Sequence, residues 1–251
     1  MSETNHQYSE NYDKLIELRE EVYNCKACSL ATTRTKVVFG NGNPDADLMI
    51  IGEGPGANED TSGIPFVGRA GKLLTECLEE CNISRKHVFI ANVVKCRACI
   101  INKTTNKNRP PTDEEINLCT PWLEKQIEII KPLVVLSLGA PSARFMLNRK
   151  DIAMTKERGI FYKSRFSDNV IPSLHPSYIL RNMYKDGDGG KSLLIKDIKS
   201  AISKVSELKG QVTENSVIIT SNEVQMNIQT ESKIDENKTD TNLKNDPTFG
   251  F

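Results

Sequence analysis

The stretch "DLMIIGEGPGANED", Asp47 to Asp60, decides how the chain folds. Leu48 to Ile51 form a short apolar run, preceded by "NGNPDAD" and ended by glycine, which is the pattern of a buried strand. Gly52, Glu53, Gly54, Pro55 and Gly56 follow directly. This loop lacks the lysine of a P-loop and the GxGxxG spacing of a dinucleotide site. Its glycines let backbone approach a ligand closely, and Pro55 fixes the turn. Glu59 and Asp60 stand just beyond, either as part of a site or as an acidic helix start.

Outward from this strand, apolar runs alternate with amphipathic segments. "ENYDKLIELREEVYN" (10–24) has helical spacing and ends near Cys25. "GRAGKLLTECLEECNI" predicts a helix with Leu73, Leu74, Cys77, Leu78 and Cys81 on one side, and "HVFIANVVKC" a second strand. Thr112 and Glu115 form a capping box at the head of "TDEEINLCTPWLEKQIEII". "KPLVVLSLG" is a third buried strand and "APSARFMLN" a short helix. "GIFYKSRFSDNVIPSLHP" suggests a small hairpin feeding a fourth strand that ends at His175, and "GGKSLLIKDIKSAISKVSEL" is a last helix. Alternating strands and helices imply an α/β fold with a mainly parallel sheet between helices. Ligands in such sheets sit at the carboxyl ends of the strands, where Gly52–Asp60, Asn92–Cys96 and His175–Ser177 all fall.

The chain has 251 residues, 38% of them hydrophobic, and a formal net charge of zero. That balance hides an asymmetry. Residues 210–251 hold seven acids and three bases, which leaves a net of +4 on residues 1–209. A mildly basic body is compatible with phosphate contacts. No apolar run approaches the roughly 18 residues of a membrane span, and the polar N-terminus lacks a signal-peptide core. A soluble, cytoplasmic protein is expected. The seven cysteines include two CxxC pairs, Cys25/Cys28 and Cys96/Cys99, and such pairs in an intracellular chain point to metal or redox chemistry. Spacing alone leaves a zinc site and an iron–sulfur cluster equally open. Cys77 and Cys81, four residues apart on an apolar helix face, are expected to pack in the core.

In order, "GEGPGANED", "GIPFVGRAGKLL", "NVVKCR…NRPPTDEEINLC" and "SLHPSYILR" resemble the family 4 uracil-DNA glycosylases, the iron–sulfur branch of that superfamily. The likeness runs from about Tyr23 to about Leu208. It implies a three-layer fold with a four-stranded parallel sheet between helices, a glycosylase domain over 1–209 and removal of uracil from DNA. It also implies a 4Fe–4S cluster on Cys25, Cys28, Cys96 and Cys119. Cys99 stands where the family usually has proline and competes with Cys119 as fourth ligand. The segment between Cys96 and Cys119 is longer than usual, and its extra "CIINKTTNK" is expected to bulge as a loop.

A glycosylase flips the nucleotide out of the stack and reads the base in a pocket. It then stabilises negative charge on the departing base with preorganised donors. The resemblance assigns His175 to the uracil O2. Asn92 offers a donor and an acceptor that match uracil O4 and N3–H. Phe66 would stack on the base. Gly52 and Gly54 admit the nucleotide. The family's better-known cousins use an aspartate to position water, and that place is Gly54 here. Glu53 or Glu59 must then serve, or electrostatics does most of the work; Glu53 is favoured for catalytic support and Glu59 for pocket shape, and Glu59 is one candidate for excluding thymine. Tyr178, Leu180 or Arg181 would fill the gap left by the base. Arg69, Lys72, Lys95, Arg97 and Arg109 are candidate phosphate contacts. The cluster is expected to be structural.

Residues 210–251 are rich in Asn, Thr, Asp, Glu and Lys and predict a disordered acidic tail. The tail ends in "DPTFGF", and Phe249 and Phe251 suit a pocket on a sliding clamp or single-strand-binding protein. No lysine stands out as a Schiff-base nucleophile, so a monofunctional, monomeric, nucleoid-associated glycosylase is expected. Two alternatives stay open: a neighbouring family that excises other deaminated bases, and a non-catalytic zinc-type nucleic-acid-binding module.

Overall fold

Side chains along a strand alternate between the two faces of a sheet, and this chain uses both faces. The computed structural model describes residues 9–101, 106–183 and 187–227. Its strands are β1 (Asn41–Gly42), β2 (Leu48–Gly52), β3 (Phe89–Asn92), β4 (Cys99–Ile101), β5 (Asn106–Asn108), β6 (Val134–Leu138) and β7 (Val170–Ser173). Its helices are α1 (Glu10–Tyr23), α2 (Ala57–Ser62), α3 (Arg69–Glu79), α4 (Asp113–Ile130), α5 (Ala140–Leu147), α6 (Met154–Glu157), α7 (Pro176–Asn182) and α8 (Lys191–Asn227).

The main sheet has five strands in the order β1-β3-β2-β6-β7, one more than expected. Strands β3, β2, β6 and β7 are parallel, as the α/β pattern requires. The extra strand, β1, pairs antiparallel with the edge of β3 over two residues. Asn41 and Gly42 carry no alternating apolar pattern, so nothing in their side chains announces a strand. Gly42 has φ +133°, and a Cβ there would run into the Val88 carbonyl oxygen.

Met49 and Ile51 of β2 join Phe89, Ala91 and Val135 on one face, covered by Leu15 and Leu18 of α1 and Leu123 and Ile127 of α4. Leu48 and Ile50 join Ile90, Leu136 and Ile171 on the other, covered by Leu74 and Leu78 of α3 and Leu194 and Ile198 of α8. This makes three layers. The expected small hairpin before β7 is a single antiparallel bridge from Tyr162 to Val170. The insertion expected to bulge as a loop instead folds back on itself, with β4 pairing antiparallel with β5.

Helix α8 continues to Asn227, past the expected domain boundary at residue 209 and into the segment expected to be disordered. Residues 211–227 contain no proline or glycine to stop it. Phe249 and Phe251 lie outside the described residues. Among the described residues no helix is long and apolar enough to cross a membrane.

Candidate active site

The parallel register sets Gly52 beside Asn92 at the ends of β2 and β3. The pairing runs on into the loops: Val93 N–H donates to the Gly52 carbonyl (2.9 Å) and Val94 N–H to the Glu53 carbonyl (3.1 Å). His175 follows β7. Gly139, at φ +85°, ends β6 so close to His175 that a Cβ would lie 3.0 Å from the histidine Cβ. These strand ends surround a cavity of about 230 Å³ lined by Glu53, Gly54, Glu59, Phe66, Asn92 and His175, among others. Gly52 does not line it. It lies beneath the site, where a Cβ would meet Asn92 Oδ1 at 2.5 Å and the Phe66 ring at 2.6 Å.

The two glutamates have different tasks. Glu59 Oε1 accepts from the backbone N–H groups of Val67 (3.0 Å) and Gly68 (2.8 Å), and Oε2 accepts from Gly56 N–H (3.1 Å). It ties the glycine loop to the Phe66 loop, and its oxygens are committed to that task. Glu53 makes no side-chain hydrogen bond among the described residues, and burial raises its pKa above the ordinary carboxylate value. Asp60 is buried and accepts from Thr35 N–H (2.9 Å), a structural role.

Asn92 is buried, and among the described residues its carboxamide has no partner. Phe66 adopts φ +54°, unusual for a bulky residue. Arg85 holds this turn by donating to the carbonyls of Phe66 (3.1 Å) and Pro65 (2.8 Å). Gly71 clears space for it, since a Cβ there would overlap the Phe66 carbonyl. The Phe66 and His175 rings lie 5.7 Å apart.

His175 is the N-cap of α7. Ser177 N–H donates to its Nδ1 (3.0 Å), which assigns the remaining proton to Nε2. Burial, with Arg181 assisting and Glu59 opposing, pushes its pKa down to about 4. The imidazole is therefore a neutral N–H donor at physiological pH.

Several charges expected on the DNA side are internal. Lys95 is 1% exposed. Arg97 is also buried and donates through Nε to Asn108 Oδ1 (2.7 Å) and through Nη2 to the Asn106 carbonyl (3.1 Å). Arg109 forms a two-pronged pair with Glu115 (2.8 and 2.6 Å). Arg69 and Lys72 are exposed, as phosphate contacts require. Leu180 packs in the second core, whereas Tyr178 and Arg181 line an apolar cavity that shares Glu53 and His175 with the first.

A separate small cavity gathers Cys25, Cys28, Cys96 and Cys119 with Arg34, Lys95 and Trp122; Cys99 is not among its walls. Arg34 Nη1 donates to Cys96 Sγ (3.4 Å), and Lys95 N–H donates to Cys119 Sγ (3.3 Å). The buried Nε1 of Trp122 has no partner among the described residues. Among these residues no three His, Cys, Asp or Glu groups are gathered to hold one metal ion.

The model of the uracil DNA glycosylase superfamily matches residues 39–199. The chain is 43% identical over 196 residues to the type-4 uracil-DNA glycosylase of Thermotoga maritima, covering 78% of this chain and 97% of the relative. The chain belongs to the uracil-DNA glycosylase superfamily. Within it the chain is a type-4 member. The type-4 glycosylase of Sulfurisphaera tokodaii is 41% identical over 68% of this chain and 77% of its own. That of Archaeoglobus fulgidus is 36% identical over 79% and 95%.

Sequence reasoning about this superfamily member missed Asn108. It lines the cavity from β5, its Oδ1 is held by Arg97, and among the described residues its amide N–H groups have no acceptor. It also missed Gly71 and Arg85, which hold Phe66. A glycine inside a helix that otherwise has no reason for one was the available signal for Gly71.

Proposed function

We propose that the chain is a monofunctional glycosylase that hydrolyses the N-glycosidic bond of uracil in DNA, releasing free uracil and leaving an abasic site for base excision repair. One observation carries this reading: Asn92, Phe66, His175 and Glu53 meet in a single cavity at the carboxyl end of the parallel sheet. At about 230 Å³ it falls below the roughly 300 Å³ at which drug-sized pockets begin, which suits one small planar base.

Phe66 stacks on the extrahelical base. The Asn92 carboxamide donates to O4 and accepts from N3–H. Breaking the C1′–N1 bond leaves its electron pair on the base, and the His175 Nε2–H, aimed at O2, stabilises that charge. Water adds its oxygen to C1′, and the proton it loses neutralises the departing uracil anion. Glu53, freed from structural duty, orients the water, with the Asn108 amide on the same cavity wall. Glu59 acts indirectly by fixing the two loops.

The four cysteines of the second cavity fit a 4Fe–4S cluster. The cavity brings these thiols together from three separate segments. It aims N–H groups of Arg34 and Lys95 at two of the sulfurs, and Trp122 on its wall carries a buried indole N–H with no partner among the described residues. Such donors suit thiolates and bridging sulfides. The cluster would fasten the segment after α1 to the loop after β3. Cys119, rather than Cys99, is the fourth ligand. Phe249 and Phe251 dock the enzyme, a nucleoid-associated monomer, on a sliding clamp or single-strand-binding protein.

The test is release of free uracil from uracil-containing oligonucleotides. Wild type should release it, and Asn92→Ala and His175→Ala should each lose about 10²- to 10³-fold in rate. Full activity in both variants would overturn the site. A brown protein supports the cluster, whereas a colourless zinc protein refutes it.

A further inference from the structure

Lys95 is 1% exposed and Asn92 2%. The Lys95 ammonium donates to the main-chain carbonyl of Asn92 (2.8 Å) and to Oε1 of Gln126 (2.6 Å), both uncharged oxygens. Gln126 is itself fully buried and spends its Nε2 on the Phe39 carbonyl (3.0 Å), so its orientation is fixed. Among the described residues no carboxylate forms an ion pair with Lys95. A buried cation without a counter-charge is strongly disfavoured. Lys95 also lines the cysteine cavity together with Cys96 and Cys119, and its backbone N–H donates to Cys119 Sγ (3.3 Å).

We propose that Lys95 is a positioning residue that couples the cysteine cavity to base recognition: its ammonium balances the negative charge of metal-bound Cys96 and Cys119 while it pins the main chain of the uracil-reading Asn92. The inference rests on the iron–sulfur reading above. One side chain thus serves two sites. Its head group fixes the residue that reads the base, and its backbone and charge serve the sulfurs. The metal-bound thiolates hold the cation in place, and the cation holds Asn92. Loss of the charge should be felt at both sites, without any contact between Lys95 and DNA.

The experiment compares holoenzymes of wild type, Lys95→Met, Lys95→Gln and Lys95→Arg by cluster loading, cluster reduction potential and single-turnover uracil release. Removing a nearby positive charge should make the potential more negative in Met and Gln. A displaced Asn92 should lower the chemical rate about ten- to a hundred-fold, with a smaller change in KM. Gln retains a donor and should lose less rate than Met at a similar potential. Arg retains the cation and should stay near the wild-type potential. If Met and Gln fail to load a cluster and Arg loads it, charge balance is supported. An unchanged potential in the neutral variants overturns the proposal, and so does failure of all three variants to load, which would show a need for the shape of lysine rather than its charge. A colourless wild type would sink the cluster reading itself, whereas a coloured wild type indifferent to residue 95 sinks only this inference.

Discussion

Glu53 and Glu59 are six residues apart and chemically alike, yet only one is available for chemistry. Glu59 is saturated by three backbone N–H groups, so Glu59→Gln should disturb the loops that carry Phe66. Glu53 sits in the cavity with a raised pKa because burial disfavours its charge. The sign follows from linkage. As pH rises through the unfolded pKa the unfolded chain ionises first, the penalty is complete above the raised folded pKa, and below the unfolded pKa both states are protonated and it disappears. Glu53→Gln should therefore raise the melting temperature at pH 7, lose that gain in acid, and slow uracil release. A melting temperature unchanged at every pH would contradict this. His175 provides a second window. Its folded pKa of about 4 lies below the ordinary value of 6.5, so the unfolded chain binds a proton that the folded chain refuses between these limits. Stability should fall as pH drops from 6.5 towards 4, and urea titrations of His175→Ala should show a shallower slope there. Residues at strand ends were legible because a polar group after an apolar run has few reasons to be there. Lys95 and Arg97 were misread because the sequence shows charge but not burial. Each bonds directly to a residue of the cavity wall, Lys95 to the Asn92 carbonyl and Arg97 to Asn108 Oδ1.

At the scale of elements, what periodicity could reveal was correct. The four parallel strands, α1, α3, α4 and α5 all declare themselves through apolar spacing or caps. Helices α2, α6 and α7 are four to seven residues long, too short for a 3.6-residue period to show. Hairpin β4–β5 pairs the apolar Cys99–Ile101 with the polar Asn106–Asn108, which Arg97 holds through Asn106 and Asn108, and neither strand alternates. Helix α4 owes its start to more than its cap. Glu115 takes Arg109 on both oxygens, accepts from Thr112 N–H (2.9 Å) and receives the Ser29 hydroxyl (2.9 Å). The Arg109 hydrogen bond leads in holding its pKa down to about 2. This stabilisation is complete above about pH 4.5 and fades as pH falls towards 2. Glu115→Gln should cost about 1.5–3 kcal/mol at neutral pH, measured by chemical denaturation, and the difference should shrink in acid. Because Ser29 follows Cys28 and Glu115 lies one turn before Cys119, this variant should also load less iron.

For the whole molecule, the glycosylase body and the C-terminal segment should be separable. Deletion of residues 245–251 should leave uracil release by the isolated enzyme intact and abolish any partner binding carried by Phe249 and Phe251. Loss of excision would refute that division. The cysteine cavity has a consequence for how the protein is made. Its walls come from residues 22–34, 95–96 and 118–122, so almost half the chain must be synthesised before the last thiol exists. Contacts between segments this far apart in sequence form more slowly than local helix contacts, and Cys96 follows directly on the segment after β3, which pairs with β2. If the cysteines hold the proposed cluster, it should therefore be acquired late, by a chain already close to native, and a chain denied iron should keep its folded sheet and core-packed α1 while the segment 25–34 is poorly anchored.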